Sequence, residues 1–172
     1  TVEQYLKAHS LAPVWYNIEI KNAPETDGIF HPGVEEFTEL VMDVIKEKNI
    51  SDRVIVQSFD MRNLQSIHKK YPDIKLALLV ETPISPEKVV AMLGFTPDIY
   101  SPDHMLVNEE LISFAKQNKM KVIPWTVNKK EEILSVLRLG VDGIITDYPD
   151  RAKEIVTEFL TADSQIKKKV NF

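Results

Sequence analysis

Hydrophobic and polar positions along this chain switch repeatedly between a period of two and a period near 3.6, and the switching lays out a series of strands and helices. In Trp15–Lys21 the period is two, so Asn17, Glu19 and Lys21 face one way while Ile18 and Ile20 face the other. Phe37, Leu40, Val41, Val44 and Ile45 then recur at helical spacing from about Pro32 to Lys48, and Arg53–Phe59 reads as a buried strand. The unit recurs. Met61–Lys70 predicts a helix and Ile74–Val80 an apolar strand; Pro86–Leu93 predicts a helix stopped at Gly94, and Asp98–Ser101 a strand. Asn108–Asn118, Lys121–Val127, Lys130–Leu139, Val141–Thr146 and Tyr148–Leu160 continue as helix, strand, helix, strand and helix. Ahead of them all, Thr1 and Gln4 stand at capping-box spacing, with Val2, Tyr5 and Leu6 as an apolar stripe, which predicts a short helix before Pro13.

Six strands thus alternate with helices. Runs such as Val54–Val56 and Leu76–Val80 are apolar on both faces, which implies parallel strands joined by right-handed helical crossovers. Glu19, Lys21, Ser58, Glu81, Ser101, Trp125, Asn128 and Asp147 fall at or just past the carboxyl ends of their strands. A doubly wound sheet would gather such groups at one switch point, whereas a barrel distributes them around its mouth. The expectation is therefore an α/β fold whose strands form part of a closed parallel barrel, as a single domain over residues 1–172 with residues 161–172 as a solvated tail that carries Lys167–Lys169.

Composition narrows the functional classes. An apolar share of 44% with 27% charged residues is that of a globular chain, and a net charge of −5 without a basic, aromatic-interleaved stripe argues against a nucleic-acid partner. The absence of Cys removes disulfides, thiolate catalysis and Cys-based zinc sites. No run is long enough to span a bilayer. The compartment stays open: cytoplasmic, or periplasmic or secreted with a signal outside this chain.

The chemistry concentrates on the first strand. A carboxylate and an ammonium two residues apart share one face there, and beside Trp15, Tyr16 and the isoleucines such charges are costly unless paired or bound to something. The alternative is a half-exposed surface pair of little worth. Asn22–Gly28, polar and rich in breakers, is a candidate site loop. Asp147 precedes a helix and reads as an N-cap or as a site residue.

Four ordered stretches, Asn17–Lys21, Gln57–Asp60, Pro124–Asn128 and Gly140–Pro149, closely resemble the glycerophosphodiester phosphodiesterase family, and the resemblance extends to about Ile155. It implies an eight-stranded β/α barrel of which the strands here are the third to eighth. By the same resemblance, Glu19 helps hold a divalent metal, Ca2+ or Mg2+, Lys21 is the catalytic and substrate-binding residue beside the phosphate, and Trp125 is an apolar substrate-binding wall on the glycerol side. The implied reaction is metal-dependent hydrolysis of a small-molecule glycerophosphodiester to glycerol 3-phosphate and an alcohol. The family's His-Arg-Gly motif, two further acidic ligands and His-Asp motif have no counterpart here. His9, His31, His68 and His104 match neither family histidine, although His31 and His104 follow strands on the site side. Without the proton-transfer pair the isolated chain is expected to be weak or inactive. Two alternatives stand beside hydrolysis: a non-catalytic phosphate-ligand-binding remnant, and an oligomerising structural domain. Two open sheet edges, at the Glu19 and Val141 strands, would be covered by a second copy or by a separately supplied N-terminal barrel part.

Overall fold

Every stretch with helical periodicity forms a helix, and most of the apolar runs form strands. The chain, in the computed structural model, is described for the backbone of residues 1–170 and the side chains of residues 1–162; the last helix carries the backbone of the expected tail at 161–172 on to Val170, while the side chains of Lys167–Lys169 lie outside the described residues. The order is α1 (Val2–Ala8), β1 (Tyr16–Glu19), α2 (Val34–Glu47), β2 (Val54–Ser58), α3 (Met61–Lys70), β3 (Lys75–Val80), α4 (Pro86–Leu93), β4 (Ile99–Pro102), α5 (Glu109–Gln117), β5 (Lys121–Val122), α6 (Lys130–Leu139) and α7 (Pro149–Val170). The five strands lie in one sheet in chain order, and the β1–β2 and β4–β5 pairs are parallel. The chain divides into two compact units, residues 1–77 and 78–172.

In the first unit β1 pairs with β2 in the register Asn17↔Ile55, Ile18↔Val56 and Glu19↔Gln57. Paired residues of parallel strands share a face. One face carries Ile18, Ile20, Val54 and Val56, of which Ile20, Val54 and Val56 are almost fully buried; the other carries Asn17, Glu19, Ile55 and Gln57. α3 packs against β2 and α2 against α3, and the buried positions on these helices include Met42, Ile45, Leu64 and Ile67. Asp60 caps α3 by accepting the Arg62 amide at 3.0 Å. α1 has the expected capping box, with the Gln4 amide donating to Thr1 Oγ1 at 3.3 Å. Of its apolar stripe, however, Val2 and Tyr5 stay exposed, and none of its residues is buried. Trp15 also departs from the buried strand expected of it: it lies before β1 and is 54% exposed.

The second unit places β4 beside β5, with Ile99↔Lys121 and Tyr100↔Val122. α4 starts at Pro86 and ends at Gly94, whose φ of +83° is the left-handed conformation that glycine adopts without a steric penalty. Lys121–Val127 was expected as one strand, but β5 stops at Val122. Pro102 and Pro124 explain the shortening, since neither can donate to a ladder. Beyond Val122 the pairing continues through single bonds, from Ile123 N to Tyr100 O at 3.1 Å and from Trp125 N to Pro102 O at 3.0 Å. The expected strand Val141–Thr146 likewise forms no regular ladder. Asp142 N donates to Val122 O and Ile145 N to Pro124 O, a slip of one residue between the two bonds, and the Asp142 carboxylate itself takes the Val122 amide at 2.8 Å. Among the described residues no helix is long and apolar enough to cross a membrane.

Candidate functional site

Glu19 ends β1 and Lys21 lies just past it, while the residue between them, Ile20, is 2% exposed. Alternation therefore sets both charged side chains on the face opposite the buried isoleucines. Lys21 Nζ stands 3.6 Å from Glu19 Oε2; the Lys21 side chain is 79% exposed and that of Glu19 24%. On the same face Asn17 Nδ2 donates to Gln57 Oε1 at 2.8 Å, a diagonal cross-strand contact that occupies the floor beneath the charges.

The backbone leaving this pair is held down at once. Asn22 Nδ2 donates to Asp60 Oδ2 at 2.8 Å, and its Oδ1 accepts a close hydrogen bond from Asn63 Nδ2. Ser58, named from its position at a strand end, is 1% exposed and fully engaged: its hydroxyl donates to Ile20 O at 2.8 Å and accepts from the Asp60 amide at 3.1 Å and from Asn63 Nδ2 at 3.3 Å. Arg62 then ties the loop to the start of α3. Its guanidinium donates from Nη2 to Asp60 Oδ2 at 2.6 Å, from Nε to Asp60 Oδ1 at 3.0 Å and from Nη1 to Asp27 Oδ2 at 2.7 Å. Burial alone would raise the Asp60 pKa, but the Arg62 side-chain and backbone hydrogen bonds, its charge and the Asn22 amide together hold it below the ordinary aspartate value. The same bonds to Asp60 and Asp27 push the Arg62 pKa up.

His31, a possible ligand contact by its place after a strand, instead braces this loop. Ala23 N–H donates to its Nε2 at 3.3 Å, Thr26 Oγ1 lies 2.7 Å from the same nitrogen, and Nδ1 lies 2.9 Å from Pro32 O. The backbone donor on Nε2 fits a neutral ring with its proton on Nδ1. His9 stacks on Tyr5 at the end of α1, its Nδ1 2.9 Å from Tyr5 O, and His68 lies exposed on α3. The sequence reading missed the Asp27–Arg62–Asp60 bridge. Its one available signal was the polar loop Asn22–Gly28, which supplies both Asn22 and Asp27.

In the second unit Trp125 is half-buried and fixed at three points: its indole N–H donates to Ser101 O at 2.8 Å, its amide donates to Pro102 O, and its carbonyl accepts the His104 amide at 2.8 Å. Asn128 Oδ1 accepts from Thr146 Oγ1 and from the Asp147 amide, each at 3.0 Å, while Nδ2 donates to Asp147 Oδ2 at 2.8 Å. Asp147 thus pairs with Asn128, and it is Thr146 whose hydroxyl takes the Tyr148 amide ahead of α7, at 3.2 Å.

A divalent cation of the kind the resemblance implies takes six or more oxygen ligands as calcium, or an octahedron as magnesium. Among the described residues no three His, Cys, Asp or Glu side chains gather as a metal site. Glu19 alone fits as one carboxylate ligand and does not constitute a site.

The profile described as the glycerophosphoryl diester phosphodiesterase family matches residues 1–151. A glycerophosphodiester phosphodiesterase of Bacillus altitudinis is 37% identical over 146 residues, covering 83% of this chain and 56% of that protein. A solved structure named as a candidate glycerophosphoryl diester phosphodiesterase of Silicibacter pomeroyi superposes with a TM-score of 0.77 at 26% identity, over 92% of this chain and 55% of its own. The fold is shared as well by an Oleispira antarctica phosphodiesterase, solved in complex with the product sn-glycerol-3-phosphate, at a TM-score of 0.71 and 18% identity over 90% of this chain and 58% of that one. The chain spans about half the length of the curated relatives it matches. With a parallel sheet interleaved with helices, the four ordered stretches in place and the profile running through residue 151, the chain belongs to the glycerophosphoryl diester phosphodiesterase family.

Proposed function

We propose that the protein to which this chain contributes hydrolyses glycerophosphodiesters to glycerol 3-phosphate and an alcohol, in a TIM-type (β/α)8 barrel whose third to eighth strands lie here. The observation that carries this reading is the Glu19–Lys21 pair, 3.6 Å apart on the face away from Ile20, in a chain whose family match runs over residues 1–151. Lys21 is the catalytic and substrate-binding residue. Its ammonium is largely solvated and its link to Glu19 is a surface-type pair of small worth, so a phosphate can draw it away at little cost. At a phosphodiester it offsets charge building on the phosphoryl oxygens. Asn22, held by Asp60 and Asn63, fixes the backbone from which Lys21 projects. By the family resemblance Trp125, whose indole N–H donates to the Ser101 carbonyl, is the residue assigned as an apolar substrate-binding wall.

Glu19 supplies one oxygen ligand toward Ca2+ or Mg2+; bound there, such a cation would polarise a phosphoryl oxygen. The remaining ligands come from outside the described residues of this chain. So does the proton-transfer pair, because the sequence carries no His-Arg-Gly or His-Asp motif. We infer that the isolated chain is weak or inactive and binds the phosphate end of its ligand without turning it over efficiently. β1 ends the sheet, and its free edge is where the missing N-terminal barrel part or a second copy would pair.

The test assays the purified chain for glycerol 3-phosphate release from glycerophosphocholine with Ca2+, Mg2+ or a chelator. The assay is repeated with the N-terminal portion of the Bacillus altitudinis relative supplied in trans or fused, and glycerol 3-phosphate binding is followed by NMR. Little turnover alone, metal-dependent turnover once completed, and loss of binding in Lys21→Ala are expected. Binding unchanged in Lys21→Ala would overturn the assignment.

A further inference from the structure

At the end of β2 and the start of α3, Ser58, Asp60 and Asn63 take hold of the chain on both sides of Lys21. On one side Ser58 Oγ donates to Ile20 O at 2.8 Å; on the other, Asp60 and Asn63 bind the Asn22 side chain. Asn63 is common to both holds. It is 0% exposed, and its Nδ2 donates closely to Asn22 Oδ1 and at 3.3 Å to Ser58 Oγ.

The directions of these bonds are forced. The Asp60 carboxylate, held by Arg62 at 2.6 Å, can only accept, so Asn22 turns Nδ2 toward it and keeps Oδ1 for Asn63. Asn63 must then present Nδ2, and its own Oδ1 is left buried with no hydrogen-bond partner among the described residues. Ser58 Oγ accepts from two N–H groups, the Asp60 amide and Asn63 Nδ2, so its single proton goes to Ile20 O.

A sealed carbonyl oxygen without a donor destabilises a fold, and buried polar groups are nearly always paired. Capping does not require the exception, because Asp60 already caps α3 by accepting the Arg62 amide. A leucine, close to asparagine in shape, would fill the position and leave nothing of its own unpaired. Local rules of this kind are broken where function rather than stability selects the residue. We propose that Asn63 is a positioning residue for the phosphate site: through Ser58 it sets the Ile20–Lys21 peptide, and through Asn22 the segment that follows. The Lys21 backbone is thereby fixed at both ends, while its side chain, 79% exposed, stays free to meet an anion.

Because this role rests on Lys21 binding phosphate, the test follows both residues. Glycerol 3-phosphate is titrated by NMR into the parent chain, Asn63→Leu, Ser58→Ala and Lys21→Ala, with 15N relaxation of residues 20–22 and urea unfolding recorded for each. Asn63→Leu is expected to hold the parent's urea midpoint or exceed it, to loosen the Lys21 and Asn22 amides, and to bind about tenfold more weakly, the lower end of what losing a supporting contact does to a ligand site. Ser58→Ala is expected to loosen the same amides and weaken binding in the same direction. Parent affinity in Asn63→Leu, with Lys21→Ala still abolishing binding, would overturn this role alone. So would a urea midpoint in Asn63→Leu far below the parent's, or failure of that variant to fold, since either makes Asn63 a residue of the fold. Binding unchanged in Lys21→Ala, or none by the parent chain, would overturn the assignment of Lys21 and this role with it.

Discussion

The two units secure the carboxyl ends of their strands by different means. In the first, the segment after β1 is clamped by ions: Arg62 bridges Asp60 and Asp27, and Asp60 reaches on to Asn22. In the second, the corresponding segments are held mostly by neutral groups, the Trp125 indole on a backbone carbonyl and the Asn128 amide between Thr146 and Asp147. A charge clamp depends on pH and salt, whereas a neutral one does not. The unit that presents the exposed lysine is thus the one whose frame responds to conditions, and that difference can be attacked from either side.

The largest effect is expected from Arg62→Ala. It leaves the Asp60 carboxylate, with a side chain only 6% exposed, without its ionic partner. Breaking a fully buried pair costs about 3–5 kcal/mol; because Arg62 is itself 39% exposed, roughly 2–3 kcal/mol is the appropriate scale. Urea unfolding gives the total, and hydrogen exchange is expected to show protection lost in residues 22–33 and 60–64 while the Trp125 region keeps its own. Equal loss in both units would break the comparison. Acid acts on the same clamp. The Asp60 pKa is lower in the folded chain than in the unfolded one, so its contribution is present above the ordinary aspartate value, about 3.9, and is lost as pH falls through the lower folded value. Asp60→Asn is expected to flatten that part of the stability–pH curve.

A smaller loss, about 1–2 kcal/mol, is expected from Trp125→Phe, which removes the donor to the carbonyl of Ser101, a residue 1% exposed. This loss is expected to be insensitive to salt between low and high ionic strength, in contrast to that of Arg62→Ala. A matching salt dependence for the two variants would show that the neutral frame is not neutral in effect.

These contrasts also mark how far the sequence could be read. Glu19 and Lys21 were placed on a common face because strand alternation is local, and the structure sets them opposite the buried Ile20. The helices were legible for the same reason: their periodicity and caps, such as Asn108 and Gly94, lie within a few residues of what they control. The Arg62–Asp27 bridge joins residues 35 apart, and nothing local distinguishes those side chains from solvated ones. Ser58 carried little weight as a site residue because a polar residue at a strand end can serve a site or satisfy a neighbouring carbonyl, and its hydroxyl donates to the Ile20 carbonyl. Pro124 was a readable sign overlooked, since a proline inside Lys121–Val127 already argues against an unbroken ladder.

The smallest effect on stability, and the most informative about function, is expected from Lys21→Ala. With its side chain 79% exposed and its contact to Glu19 at 3.6 Å, the ammonium contributes little to folding, and the change is expected to stay within about 0.5 kcal/mol. Binding of glycerol 3-phosphate, by contrast, is expected to fall sharply, and Lys21→Arg to restore part of it, because a guanidinium keeps the charge but changes the reach and the donor geometry. A residue that matters to the fold would lose stability and binding together. One that costs nothing to remove until an anion is present has its purpose outside the fold, and that is the outcome expected of Lys21, which adjoins a tightly braced Asn22. Parallel losses in urea stability and in binding would place Lys21 with Arg62, as part of the clamp.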